Sequence, residues 1–445
     1  MAFVPVYILI LAFTIVVDYF SGIYIENAKG KNRKAFLIIS LVANIGTLAV
    51  FKYYNFLIDI ITNLFNLSGS SIYFPYLNIL LPIGLSFHTF QAMSYTIEVY
   101  RGNQKAERHF GIYALYVMFY PQLVAGPIER PQNLIHQFRE KCDFDYDRVV
   151  SGLKLMAWGL FKKVVIADRL TILVDTVFDH PDKYNSLSLI ISAVFFSFQI
   201  LCDFSAYSDI AIGAAKVMGF RLMNNFNNPY QSKSIREFWT RWHISLSTWF
   251  KDYLYIPLGG NRVSVPRWCL NLMIVFLISG IWHGANWTFV VWGVLHGIFF
   301  IFSILTERIR KWLSVRVFFL RSSIINTIST FALVTVAWVF FRAPNIQTAL
   351  FIVKKIFTGL PDLYTNYRQG SVVIEKLGMS KSYILLSIFL ILVLQLMNYL
   401  LTKPSFSRKL QKSPVYIKWP LYYIFILVLL FFGVFENKEF IYFQF

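Results

Sequence analysis

Apolar segments long enough to cross a bilayer recur along this chain, at roughly 3–24, 35–60, 77–100, 110–127, 185–215, 268–283, 285–306, 318–341, 383–402 and 419–436. A hydrocarbon core about 30 Å thick takes about 20 residues of helix. Backbone groups in lipid must be satisfied internally, so irregular or open-sheet spans are untenable. The pattern predicts an all-α polytopic membrane protein. Residues 151–172 form a further candidate span, weakened by Lys162, Lys163 and Asp168, and the expected total is about ten to eleven membrane helices. Composition agrees: 57% of residues are hydrophobic and 15% charged, where a soluble domain carries about 25% charged residues. The first segment has no basic stretch before it and no small-residue cleavage site, so it reads as a membrane helix rather than a signal peptide.

The formal net charge of +19 raises the question of nucleic acid, but the placement of the charge answers it. Basic residues cluster in short loops: Lys29, Lys31, Arg33 and Lys34; Arg101, Lys105 and Arg108; Arg308, Arg310, Lys311 and Arg316; Lys403, Arg408, Lys409 and Lys412. The loop near 61–76 carries no charge. This is the positive-inside distribution. It puts the basic loops and the 216–267 block on the cytoplasmic side and both termini outside, with membrane lipid rather than nucleic acid as the surroundings. Cys142, Cys202 and Cys269 lie far apart with no CxxC spacing, and read as buried small apolar residues. No two histidines sit at metal-ligand spacing and no HExxH occurs, so no metal is expected.

No internal repeat is visible, so residues 1–445 read as one membrane domain. Several segments suit a bundle with a partly hollow interior. Leu81-Pro82-Ile-Gly84-Leu-Ser-Phe-His88 breaks a span, Pro121-Gln122-Leu-Val-Ala-Gly126-Pro127 ends another, and Asn224-Asn225-Phe-Asn227-Asn228-Pro229 is turn-forming. Such breaks are tolerated at lipid depth where freed backbone faces protein or a water-filled cavity. Ser234 and Glu237 form a capping box for a helix from about Ile235 to Trp249. On that helix Trp239, His243 and Ser247 share one face. It is too short and polar to span, and reads as re-entrant or interfacial. Residues 342–381 read as an external loop with one amphipathic helix.

His283, in Gly280-Ile-Trp-His283-Gly-Ala-Asn286-Trp287, lies within the apolar run of about 268 to 306, and an ionisable ring at that depth is a functional candidate. Two readings stand: a structural histidine bonded to a neighbouring helix, or a neutral base that takes a proton from a hydroxyl attacking a carbonyl. Asn286 and Trp287 beside it are candidate substrate contacts. His243, in Glu237-Phe-Trp239-Thr-Arg241-Trp242-His243-Ile-Ser-Leu-Ser247, is the second candidate. Trp239, Arg241, Trp242 and Ser247 around it are candidate substrate- or donor-binding residues. Lys251 and Arg262 could draw a polyphosphate donor beside Gly259-Gly260, although the positive-inside rule predicts the same charges. His296, followed by Gly297, reads as structural. His88 and Gln122 are candidate cavity-lining residues. Asp203 and Asp209 read as carboxylates bonded to Ser or Tyr, and Glu129 and Arg130 as a pair or the edge of an entrance.

These strings in order carry a resemblance. Leu81-Pro-Ile-Gly-Leu-Ser-Phe-His88, Phe119-Tyr-Pro-Gln-Leu-Val-Ala-Gly-Pro127, Phe161-Lys-Lys-Val-Val-Ile-Ala-Asp-Arg169, Asp203-Phe-Ser-Ala-Tyr-Ser-Asp209, Arg241-Trp-His-Ile-Ser-Leu-Ser247, Asp252-Tyr-Leu-Tyr-Ile-Pro-Leu-Gly-Gly260, Trp282-His-Gly-Ala-Asn-Trp287 and Trp338-Val-Phe-Phe-Arg342 span most of the chain. Together they resemble the membrane-bound O-acyltransferase family, in its bacterial branch typified by alginate O-acetyltransferase. The resemblance implies membrane and re-entrant helices around a central cavity, with a signature core at about 80–345. It implies that His283 is the essential histidine and His243 the second signature position. It further implies a multi-pass enzyme of the bacterial cytoplasmic membrane with no bound cofactor. Such an enzyme moves acetyl from cytoplasmic acetyl-CoA toward hydroxyls of an exported polysaccharide, with an extracytoplasmic SGNH-type partner. Members of this branch begin with a hydrophobic region before the equivalent of 3–24, so a shorter or truncated form is expected here. Two other functions fit less well: D-alanyl transfer from a carrier protein to a cell-wall polymer, and a polysaccharide transporter or flippase, for which the repeat symmetry is missing.

Overall fold

The computed structural model describes residues 7–69, 74–78, 82, 84–317, 321–368, 381–435, 440 and 441. Leu81 and Ile83 of the Pro-Gly break, and residues 369–380 of the expected external loop, lie outside the described residues, as do short parts of the first and last apolar segments and of those near 61–76 and 318–341. Every regular element among the described residues is helical, with no strand among them.

Helices α1 (Tyr7–Asn27) and α2 (Gly30–Leu48) form a hairpin. A π-helical turn, Ala49–Tyr53, carries α2 straight into α3 (Tyr54–Leu67). Helix α4 (Leu85–Arg101) packs across α1 and α2. It starts at Gly84, whose φ of 82° is left-handed and whose Cβ would meet the Leu123 carbonyl oxygen at 2.6 Å, so only glycine fits there. Helices α5 (Phe110–Met118) and α6 (Pro131–Leu134) are short. Helix α7 (Tyr146–Leu160) passes through a second π turn, Phe161–Ala167, into α8 (Asp168–Asp179). The 32-residue α9 (Ser186–Val217) is the central post, packed on α7, α8 and the π turn between them.

The remaining elements close around that post. Helices α10 (Ile235–Arg241) and α11 (Ile244–Phe250) precede the hairpin of α12 (Val265–His283) and α13 (Trp287–Leu305). Then follow α14 (Glu307–Arg316), α15 (Ser323–Arg342), α16 (Ile346–Thr358), α17 (Leu363–Arg368), α18 (Lys381–Leu401), α19 (Pro404–Lys412) and α20 (Val415–Phe432). Among its described residues the stretch after Arg342 thus holds two helices where one was expected.

Eight helices among the described residues are long and apolar enough to span: α1, α2 with α3, α9, α12, α13, α15, α18 and α20. The molecule is a polytopic all-α membrane protein. The other expected segments are helical but fall short of a continuous apolar span. Residues 77–100 yield only the 17-residue α4, because the Pro82–Gly84 corner delays its start. Residues 110–127 yield the 9-residue α5 before the Pro121–Pro127 turns. Residues 151–172 form the α7–α8 unit.

That unit explains its own charges. Lys162 Nζ lies 2.9 Å from Asp209 and donates to Ser205 at 2.7 Å, while Lys163 lies 2.8 Å from both Asp168 and Asp203. The sequence reading gave Asp203 and Asp209 Ser or Tyr partners; lysines one helix away hold them instead. Charges at this depth persist only when paired. Asp203 also accepts from the Ile441 backbone N–H at 2.7 Å, so the chain beyond α20 returns into the bundle. Among the cysteines only Cys202 is buried, whereas Cys142 is exposed because it lies on the open 140–145 segment.

Candidate active site

Helices α12 and α13 cross at glycine. A Cβ on Gly280 would lie 2.3 Å from the Phe289 carbonyl oxygen, and one on Gly293 2.4 Å from that of Phe276. Small residues at such crossings let two backbones touch. The hairpin between them presents His283 as the last residue of α12. Asn286 caps α13 by accepting from the Thr288 N–H at 3.0 Å, and it donates to the Pro344 carbonyl at 3.1 Å. His283 is buried, and ring centroids of Trp282 and Trp292 at 5.0 Å and Phe341 at 5.3 Å face it edge-on.

His243 sits where the sequence predicted the middle of one helix, and the helix breaks there. Trp242 is extended and His243 left-handed, with φ 42° and ψ 58°. The cause is the Asn-rich stretch. The Ile244 N–H donates to the Asn225 carbonyl at 2.9 Å, the Asn227 N–H to the Arg241 carbonyl at 3.0 Å, and Ser245 Oγ to Asn225 Oδ1 at 2.6 Å. These bonds replace the helical ladder, so Trp239, His243 and Ser247 do not share a helix face. The predicted start is correct: Ser234 Oγ accepts from the Glu237 N–H at 3.1 Å, and Glu237 reaches back to the Lys233 N–H at 2.7 Å. After α11, Lys251–Tyr255 forms a third π turn before the Gly259-Gly260 corner.

The break drops the imidazole of His243 into an aromatic box of Phe204 at 4.7 Å, Phe87 at 6.1 Å and Trp282 at 6.2 Å. Neither ring nitrogen has a hydrogen-bond partner among the described residues. Trp282 contacts both histidines, at 6.2 Å from His243 and 5.0 Å from His283. His296 occupies a separate box, against Trp292 at 4.8 Å, Trp239 at 5.0 Å and Phe238 at 6.2 Å. Gly297 beside it abuts the Met273 side chain, which fits helix packing.

A cavity of about 550 Å³ opens between α10, α11, α12 and α13. Exposed Arg236, Thr240, Lys251 and Asn261 form its rim, and Trp239, Phe250, Trp268 and Phe276 its aromatic walls. Ser279, one turn before His283, lines it. The cavity stops short of both candidate histidines. From its wall a chain of ring contacts runs from Trp239 to Trp292 at 5.9 Å and on to His283.

Of the residues singled out in the sequence, Trp239, Ser247 and Lys251 line this cavity. Arg241 instead pairs with Glu237 at 2.7 Å, and Trp242 is buried against Trp338 at 5.0 Å. Arg262 is exposed on the Gly259 turn, and Trp287 faces outward against Phe56. His88 and Gln122 are buried but are not among the cavity's walls. Glu129 and Arg130 do not pair. Glu129 accepts from the Met223 N–H at 2.5 Å and from Asn133, and burial pushes its carboxyl above the usual range; Arg130 joins Asp252 at 3.3 Å.

Five contributors were missed. Arg236 and Trp268 hold the rim and wall of the cavity. Lys52 and Tyr53 bind the carbonyls at the end of α12, where a lone cation in an apolar run was the only signal. Phe440 packs on Phe204 and Tyr207, at 6.2 and 5.2 Å, and so reaches the wall of the His243 box.

Comparison with known proteins agrees with this architecture. The model of the membrane-bound O-acyltransferase family matches residues 109–346. The chain is 38% identical over 375 residues to a peptidoglycan O-acetyltransferase of Helicobacter pylori, covering 78% of this chain and 69% of that protein. It is 40% identical over 356 residues to a probable alginate O-acetylase of Pseudomonas aeruginosa, covering 79% and 66%. A probable alginate O-acetylase of Azotobacter vinelandii is 40% identical over 342 residues, covering 75% and 65%. The chain thus spans about two thirds of the length of these relatives.

Proposed function

The chain belongs to the membrane-bound O-acyltransferase family, and from that premise we propose that it is an O-acetyltransferase of the bacterial cytoplasmic membrane, drawing on cytoplasmic acetyl-CoA. Its acceptor is a hydroxyl of an exported polysaccharide, reached directly or through an extracytoplasmic SGNH-type partner, and residues 1–445 act as one unit. The observation that carries the reading is the relation of His283 to the 550 Å³ cavity. A cationic rim and an aromatic throat, drawn from α10, α11, the π turn after it and α12, lead toward the histidine-bearing end of α12.

Each part has a task in acetyl transfer. Arg236 and Lys251 attract the phosphates of the donor. Trp239, Phe250, Trp268 and Phe276 take the pantetheine arm and keep water from the thioester. His283 accepts the acceptor's hydroxyl proton as that oxygen bonds to the thioester carbonyl carbon. The carbon–sulfur bond then breaks, CoA leaves as the thiolate, and the imidazolium returns the proton to sulfur. His243 packs against Trp282 and helps fix the floor on which the thioester rests. Because the cavity stops short of His283, the thioester advances only as the Trp239–Trp292 contact opens. Induced opening of this kind keeps acetyl-CoA from hydrolysis when no acceptor is present.

The names of the relatives at 38% and 40% identity favour acetyl over D-alanyl. Purified protein in proteoliposomes, offered radiolabelled acetyl-CoA or D-alanyl-loaded carrier protein, separates the two donors. The expected outcome is transfer from acetyl-CoA alone, with Arg236→Ala/Lys251→Ala raising its KM about tenfold at little cost in kcat. Transfer from the loaded carrier alone, or a KM unmoved by the double variant, contradicts the assignment of donor or cavity.

A further inference from the structure

Helix α12 ends at His283, and its last carbonyls have no partner within the helix. Three of them in a row are met from a helix far away in sequence. Tyr53 Oη donates to the Ile281 carbonyl at 2.8 Å, and Lys52 Nζ donates to the Trp282 carbonyl at 2.8 Å and to the His283 carbonyl at 2.9 Å. Lys52 also lies 3.5 Å from Ser86 Oγ. Among the described residues no carboxylate stands within ion-pair distance of its ammonium.

Consecutive residues on an ordinary α-helix point about 100° apart. Lys52 and Tyr53 lie in the π turn Ala49–Tyr53, and such turns re-aim side chains at functional sites. A cation at the carboxy end of a helix also meets the negative pole of its dipole. A lysine held in an apolar segment by backbone carbonyls, with no acidic partner, is costly and has a task beyond solubility.

We propose that Lys52 is a positioning residue for His283. Its ammonium, helped by the Tyr53 hydroxyl, pins the last turn of α12 and so sets the angle at which the His283 ring stands between Trp282, Trp292 and Phe341. The inference rests on the reading of His283 as the base. The ring stands on the last residue of that turn, so a loosened helix end misplaces it. Misplacement of a catalytic group by about 1 Å costs about 100-fold in rate.

The test uses the full chain in proteoliposomes with Lys52→Met, Lys52→Arg, Tyr53→Phe and His283→Ala. Two readouts are taken: kcat and KM for acetyl-CoA, and the rate at which diethyl pyrocarbonate modifies His283, followed by peptide mass spectrometry. Lys52→Met is expected to lower kcat about 100-fold with KM little changed and to alter the modification rate, Tyr53→Phe to show a smaller effect in the same direction, and Lys52→Arg to recover most of both. Wild-type kcat and modification rate in Lys52→Met overturn the inference while His283→Ala remains inactive. A fall in Lys52→Met matched only by loss of folded protein, with no recovery in Lys52→Arg, overturns it as well. An active His283→Ala overturns the underlying reading instead, and the modification rates still report whether Lys52 sets the ring.

Discussion

At His243 one residue does two jobs that the sequence shows separately. Its ring enters the aromatic box, and its backbone makes the left-handed corner between α10 and α11. Non-glycine residues rarely adopt that conformation, and histidine and asparagine tolerate it better than most. His243→Ala therefore loses the ring and strains the corner, whereas His243→Asn and His243→Gly keep the corner. Thermal unfolding in detergent is expected to place His243→Ala about 1 kcal/mol below His243→Asn and His243→Gly. Equal stability of the three would mean that the corner is set by the Asn225 bonds alone. The motif around His243 was legible, and its conformation was not. The capping box and the apolar spacing both favoured a continuous helix, and the bonds that break it come from Asn225 and Asn227, across a turn. Lys52 was hidden for a similar reason, since its partners are backbone carbonyls 230 and 231 residues away.

Among helices, contact distance rather than composition sorts the glycines. Gly280 and Gly293 lie against facing carbonyl oxygens, while Gly46, on α2, has nothing within 4 Å of its would-be Cβ. Gly280→Ala forces α12 and α13 apart and is expected to cost about 1–3 kcal/mol together with most of the activity. Gly46→Ala gains helix propensity and is expected to stabilise by about 0.5–1 kcal/mol. Chemical denaturation in micelles measures both, and a neutral Gly280→Ala would contradict the close crossing. The long apolar runs gave most helices at once, because lipid leaves the backbone few alternatives. The α7–α8 unit resisted that reasoning. Its lysines look like the end of a span until Asp168, Asp203 and Asp209 are placed beside them, and those pairings depend on how α9 packs.

Taken whole, the molecule is a polytopic helical bundle of the membrane-bound O-acyltransferase family, with eight helices among the described residues fit to span. Two of the predicted site features converge in space. His283 and His243 both contact Trp282, and Trp239, Ser247 and Lys251 line one cavity. Arg262 and Trp287, placed near the chemistry by sequence proximity, point away from it. Charge and aromatic content alone do not tell a wall from its outer face. The central claim is that His283 takes the proton in acetyl transfer. It is tested most directly by the initial rate of acetyl-CoA consumption with acceptor present, compared between wild type and His283→Ala in matched proteoliposomes, with equal folded protein verified by thermal unfolding. The expected result is a fall of about 10²–10⁴-fold at unchanged stability; a folded His283→Ala that consumes acetyl-CoA at the wild-type rate contradicts the proposed role of His283.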